Sequence, residues 1–223
     1  MKNIACMLSF VLAFILVFSF ADINVQAASG KKKNVVVLYF SATGTTKGVA
    51  QRIQKATNGK LIEIKASNPY TDADLNYGNP DSRVVKEHES ASSPAKSKVR
   101  PKISNIKTIQ NAVKKADVVY IGYPIWWGEA PHIMYSMVEK TNLKGKKVVP
   151  FCTSLSSGIG NSGSHLRTRA KISSKTKWLK GRNFYQVPSQ KNINKWVKTI
   201  LIGIYLQGVG KTAPFCYLMS FTK

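Results

Sequence analysis

Val35-Val36-Val37-Leu38-Tyr39-Phe40 runs directly into Ser41-Ala42-Thr43-Gly44-Thr45-Thr46. An apolar, strand-favouring run of this length bounded by a glycine- and hydroxyl-rich turn reads as a buried strand. Val49, Ala50, Ile53 and Ala56 follow at helical spacing. The stretch is therefore strand, tight turn, helix. A turn that opens a helix presents unpaired backbone N–H groups and the positive end of the helix dipole, which suits an anion of phosphate size. Ser41, Thr43, Thr45 and Thr46 add hydroxyl donors, and the nearest cation is Lys47. A Walker-type site needs Gly-Lys-Ser/Thr at the end of its loop, and a dinucleotide fold needs three spaced glycines. Neither is present, so the expected ligand is a phosphate held by neutral donors.

Outward from this stretch the chain alternates strands and helices. A first helix covers about 45–56 and stops at Asn58-Gly59. Leu61–Ile64 is the second strand. The spacing of Ile106, Ile109 and Val113 predicts a helix. Asp117–Tyr123, nearly all apolar, is a third strand buried on both faces. It leads into Pro124-Ile125-Trp126-Trp127-Gly128-Glu129-Ala130-Pro131 and a helix to about Lys140. Lys146–Cys152 is the fourth strand, followed by Thr153-Ser154-Leu155-Ser156-Ser157-Gly158 and a helix near Ser164–Ile172. Asn183-Phe184-Tyr185 is a weak fifth strand, and Asn192 to about Tyr205 the last helix. Such alternation predicts a parallel sheet with helices on both sides, joined by right-handed crossovers.

Ser41-Ala42-Thr43-Gly44-Thr45-Thr46 resembles the Ser/Thr-x-Thr-Gly-x-Thr phosphate loop of flavodoxins, over a domain of about residues 34–205. From the hexapeptide alone an ordinary strand-to-helix turn would read the same; two later loops separate the readings. The resemblance implies a flavodoxin-like, doubly wound α/β fold: a five-stranded parallel sheet in the order 2-1-3-4-5 inside a three-layer sandwich. That order brings together the loops after strands one, three and four, at the carboxyl ends where such folds bind ligands. It also implies FMN. Ser41, Ala42, Thr43, Gly44, Thr45 and Thr46 would hold its phosphate. Pro124, Ile125, Trp126, Trp127 and Gly128 would form the ring-stacking loop, with Trp127 on the flavin face and Trp126 turned either to the core or to the ribityl chain. Thr153, Ser154, Ser156, Ser157 and Gly158 would meet the pyrimidine edge. Two tryptophans packed beneath a helix are the plainer reading of the second loop.

The polar, proline-punctuated span 66–100 reads as a long surface excursion with one helix near Ser82–Ser90. Its Tyr70, Tyr77 and Arg100-Pro101 resemble signals of a flavodoxin-like subgroup with a Pro-Ile-Trp-Trp-Gly loop; capping the flavin edge and plain packing both fit them. The third loop lacks the aromatic that many flavodoxins place there. One flavin face is then open, or covered by 66–100. The histidines offer no nucleophile or metal pattern: His88 lies in the polar span, His132 follows the Trp loop and reads either as a solvent-facing residue at a helix start or as one that approaches the flavin, and His165 reads as solvent-facing in the same way.

Composition bounds the rest. Over 223 residues, 34 Lys and Arg oppose 10 Asp and Glu, a net charge of +24, where typical flavodoxins are acidic. Such a field draws anions: an anionic cell wall or membrane surface is a candidate partner, while no nucleic-acid motif is present and the basic residues, scattered along the sequence rather than in one stripe, read mostly as a solvated surface. Lys2, the apolar run Ile4–Phe20 and Val25-Gln26-Ala27 read as a secretory signal peptide cut after Ala27. The alternative is an uncleaved anchor at the short limit for spanning a bilayer. Residues 28–33 form a basic lead-in, and 206–223 a C-terminal extension. Cys152 reads as a buried thiol, with a bridge to Cys216 the alternative. The function expected is FMN-dependent electron transfer or small-substrate reduction outside the cytoplasm, with a redox partner protein or a small quinone-like acceptor. The rivals are an NAD(P)H-dependent reductase and a basic surface-binding module on a flavodoxin fold that has lost FMN.

Overall fold

The structure is a computed structural model that describes residues 33–206. The signal segment 1–27, most of the basic lead-in, the extension after 206 and Cys216 lie outside the described residues. The strands are β1 (Val35–Tyr39), β2 (Lys60–Glu63), β3 (Val118–Pro124), β4 (Lys147–Thr153), β5 (Lys177–Trp178) and β6 (Arg182–Phe184). The helices are α1 (Thr45–Thr57), α2 (Arg83–Glu89), α3 (Ile106–Lys115), α4 (His132–Lys140), α5 (Ser162–Arg169) and α6 (Gln190–Leu206). The sheet is parallel, in the order β2-β1-β3-β4-β5, with β6 also on β4. It is the doubly wound order expected from the sequence.

The pleat divides the core. Val36, Leu38 and Phe40 face α3, α4 and the excursion, with Ile109, Val113, Ile133, Met134, Val84 and Val85 in the same cluster. Val35, Val37 and Tyr39 face α1 and α6, against Val49, Ile53, Ile193 and Trp196. Both faces of β1, β3 and β4 are covered, which is why these strands read as apolar runs rather than alternating ones.

The fifth strand differs from expectation. It is two pieces, β5 beside the start of β4 and β6 beside its end. The cause is Pro150 in mid-β4, which has no N–H to give that edge of the ladder. The Leu179 N–H still reaches the Val148 carbonyl (2.8 Å), and the Ser154 N–H the Phe184 carbonyl (3.4 Å). Between these bonds the chain passes Pro150 at Gly181, where a Cβ would stand 3.0 Å from the Pro150 oxygen and 2.2 Å from Ile159 Cδ1. A side chain there would crowd the Pro150 carbonyl and push the Ile159 tip aside, and glycine avoids both.

Candidate functional site: three loops at the carboxyl ends of the strands

Loop one is Phe40–Gly44. Gly44 caps α1 with φ +91, and no atom lies within 4 Å of where its Cβ would be. Its N–H donates to Ser41 Oγ (3.1 Å). The first helical bond runs from the Gly48 N–H to the Gly44 carbonyl. The amides of Thr45, Thr46 and Lys47 therefore precede the ladder, at the positive end of the helix. Thr43 and Gly44 are exposed, and Thr45 is half-buried. Thr46 is not an outward donor: it is buried, with Oγ1 2.7 Å from Thr153 Oγ1. Of the two hydroxyl protons in that pair, one makes the bond and the other remains to donate.

Loop two is a tight hairpin. The Trp126 N–H donates to the Glu129 carbonyl (2.9 Å) and the Glu129 N–H to the Trp126 carbonyl (3.0 Å). Trp127 (φ 49) and Gly128 (φ 78) are its central residues, the signature of a type I′ turn. Glycine takes that conformation freely; a bulky tryptophan does so at a cost. The turn sends the two indoles apart. Trp126 is buried in the core, edge-on to Phe40 (5.7 Å) and Tyr70 (5.5 Å). Trp127 remains 41% exposed. It stacks on His88 of α2 with centroids 4.3 Å apart and planes 3° from parallel, and Tyr77 lies 4.7 Å away. Of the two directions open to Trp126, the structure takes the core.

Loop three folds on Ser154, whose Oγ accepts from the amides of Ser156 (3.3 Å) and Ser157 (3.1 Å) and lies 2.9 Å from Ser157 Oγ. Two of the amides expected at a ligand edge are thus held by the loop itself. Gly158 turns the chain at φ 66, and Leu155 is 90% exposed.

The loops meet. Loop one touches the third through Thr46 and Thr153. The second joins the third through the Ile125 N–H on the Thr153 carbonyl (2.9 Å), and a Cβ on Gly160 would stand 3.8 Å from the Gly128 oxygen. Phe40 joins loop one to β3 by its N–H on the Gly122 carbonyl (3.0 Å). A cavity of about 480 Å³ opens beside Ser41 and Ala42, lined also by Phe40, Ile64, Ala66 and Tyr70. It lies between loop one and the start of the excursion.

The excursion is fastened behind loop two. The Tyr70 hydroxyl lies 3.0 and 2.9 Å from the two Glu87 oxygens, and Arg83 Nε donates to Glu87 (2.9 Å) while covering the Tyr70 ring. Arg100 binds Glu139 through two nitrogens (2.8 and 2.9 Å). Packing thus accounts for Tyr70 and Arg100, whereas Tyr77 stands on Trp127. Burial raises the Glu87 carboxyl above its ordinary range, against its hydrogen bonds to Tyr70 and Arg83.

His132 is a correction. His132 is buried, not solvent-facing, with Nδ1 4.0 Å from Glu87 and Nε2 3.4 Å from Ser90 Oγ. Burial, then repulsion from Arg100 and His88, lower it to about 4. His165 Nδ1 lies 2.6 Å from Glu129 Oε1, bracing the far side of the hairpin. His88, set aside in the sequence, is the stacking partner of Trp127. No local pattern marks it; only the aromatic content of the excursion hinted that this span covers the Trp loop. Cys152 is a buried thiol raised to about 12 by burial, donating to Asn183 Oδ1 (3.2 Å). Among the described residues no group of His, Cys, Asp or Glu is placed to hold a metal ion.

The parallel order and the converging loops define a flavodoxin-like α/β protein. The model of the flavodoxin family matches residues 34–200, and the chain belongs to that family. It is 38% identical to a provisionally named flavoprotein of Bacteroides eggerthii DSM 20697, over 76% of this chain and 98% of that one, with a TM-score of 0.62. A similarly named protein of Bacteroides uniformis ATCC 8492 is 34% identical over 75% and 99%, with a TM-score of 0.61. A flavoprotein of Lactobacillus acidophilus NCFM, solved in complex with FMN, is 23% identical over 74% and 98%, with a TM-score of 0.50, and shares the fold. No curated protein matches.

Proposed function

We propose that the chain binds FMN across the three loops and exchanges electrons with a redox partner protein or a small quinone-like acceptor outside the cytoplasm. The observation that carries this reading is the junction of loops one and three through Thr46 and Thr153, beside an open, glycine-turned helix start. The donor set fits the phosphate end of the cofactor: first-turn amides, the Thr43 and Thr45 hydroxyls, and space at Gly44. Bound FMN supplies the electron-transfer chemistry, which needs no nucleophile or metal from the protein. The chain's work is to hold and orient. The amides of Thr45–Lys47 receive the phosphate, Trp127 offers an exposed indole braced by His88, and the 153–158 loop sets the far edge. The membership of the flavodoxin family and the FMN complex of the Lactobacillus acidophilus relative support the cofactor; the sequence of residues 1–27 supports the compartment.

The test is anaerobic. The full chain is loaded with FMN, reduced chemically and mixed with a soluble quinone. Stoichiometric re-oxidation is expected. A loaded protein that gives up electrons only to another protein would be a carrier rather than a reductase. A chain that takes up no FMN would instead support the basic surface-binding reading, which the +24 charge favours.

A further inference from the structure

The basic residues are not spread evenly. The sheet register sets Lys60, the residues just before Val35, Val118, Lys147 and Lys177 side by side at the amino ends of the strands. Five strands at about 4.8 Å spacing make this row about 19 Å wide. Lys33, Lys60 and Lys177 are exposed. Lys147 sits among them: burial, then repulsion from Lys33 and Lys177, lower its ammonium, with Asp117 opposing. In a parallel α/β fold the crossover helices run back to this same end. α1, α3, α4 and α5 all carry cations in their last turns.

Dipole compensation accounts for cations at helix ends, and Lys146 indeed caps α3 through the carbonyls of Lys114 and Ala116. It does not account for lysines at strand starts. Carboxylates are nearly absent from this end. Five of the nine in the described residues lie in the 66–100 excursion, while Glu63 ends β2 and Glu129 lies in loop two beyond β3, both at the opposite end of the sheet. Glu139 is held by Arg100 and Arg169. Asp117 alone stands in the row, and it accepts the Asn34 amide (2.9 Å).

We propose that this end of the sheet is a docking face for an anionic lipid surface, leaving the three-loop crevice pointed away from the membrane. The covalent path favours lipid as the partner. With the apolar run Ile4–Phe20 kept as an anchor, the alternative to cleavage after Ala27, Lys31-Lys32-Lys33 become juxtamembrane residues leading into β1 at this end, and juxtamembrane lysines are drawn to anionic headgroups. The proposal is independent of the cofactor.

The test uses the full chain with two kinds of vesicle, pure phosphatidylcholine and phosphatidylcholine with one-third phosphatidylglycerol (about 33 mol%, a strongly anionic surface). The ratio of the two partition coefficients isolates the charge effect, because the apolar N-terminal segment acts on both. Each lysine near the surface contributes about fivefold. The variant K60Q/K115Q/K177Q should lower the ratio about a hundredfold. K65Q/K98Q/K102Q, with the same change in net charge away from the row, should lower it less than about threefold. Bound to anionic vesicles, the chain should gain hydrogen-exchange protection at 144–147 and 175–177 rather than in the three loops. Equal losses for the two triple variants would overturn the docking face and leave only overall charge. So would a wild-type ratio near one, including the case in which the chain is retained by soluble polyphosphate and the partner is an anionic polymer.

Discussion

The imidazole of His88 lies flat on the indole of Trp127, 4.3 Å between centroids and 3° between planes. The two residues come from the excursion and from loop two, so the excursion holds the residue expected to meet the cofactor ring. An aromatic pair of this kind contributes about 0.5–1.5 kcal/mol beyond burial. His88→Ala should weaken FMN binding about threefold to tenfold, and His88→Phe should restore most of it. Flavin fluorescence titration reads both; unchanged affinity in the alanine variant would separate the stack from the site.

Trp127 stands at φ 49 in a turn that favours Asn-Gly. Left-handed backbone costs a non-glycine residue about 1–2 kcal/mol, and losing the ring contacts costs about as much. Trp127→Asn should therefore leave stability within about 1 kcal/mol of wild type by urea denaturation. The same variant should bind FMN far more weakly. A large loss of stability would mean that Trp127 is there for packing.

Thr46 and Thr153 share a buried hydrogen bond of 2.7 Å. Removing one partner strands the other, at about 1–3 kcal/mol. Thr46→Val and Thr153→Val should each cost that much in chemical denaturation, and the double variant clearly less than the two together. Additive losses would show that the loops are not coupled through this contact.

His132 makes stability depend on pH. Its folded value of about 4 lies below the unfolded value of 6.5, so above pH 6.5 it is neutral in both states and costs nothing. As pH falls from 6.5 toward 4 the unfolded chain takes up a proton that the folded chain refuses, and stability is lost. Between pH 7 and pH 5 the loss is about 2 kcal/mol, at 1.36 kcal/mol per unit. Glu87 acts in the opposite sense: its raised carboxyl contributes stability at low pH that is lost as pH rises through the raised value. His132→Gln should remove the histidine part of the slope, so acidification from pH 7 to pH 5 should cost the wild type about 2 kcal/mol more than the variant, and any advantage the wild type holds at pH 7 should shrink or reverse. A constant gap would contradict a neutral, buried His132.

The sheet and the three loops were legible because their signals are local: apolar runs for β1, β3 and β4, and glycine and hydroxyl turns between them. The helix of the excursion was legible too: expected near Ser82–Ser90, it spans Arg83–Glu89. What was not legible depends on long-range contact. His132 read as solvent-facing because its cover, Glu87 and Ser90, lies more than forty residues earlier in a polar span. The split of the fifth strand was missed because its cause, Pro150, lies in the neighbouring strand. Lys177-Trp178 is also too short to carry a period. The charge segregation appears only when register aligns lysines that are far apart in sequence.

FMN held by the three loops gives the protein a visible colour. The most direct measurement is the absorbance spectrum of the full chain after incubation with FMN and gel filtration. Flavin bands are expected in the protein fractions at about one equivalent. Thr43→Ala removes a hydrogen bond to a charged group, about 1.5–3 kcal/mol, and should weaken retention at least tenfold; Trp127→Ala should also reduce it. A colourless protein with a normal fold would rule out FMN in the three loops and leave the basic face as the function to explain.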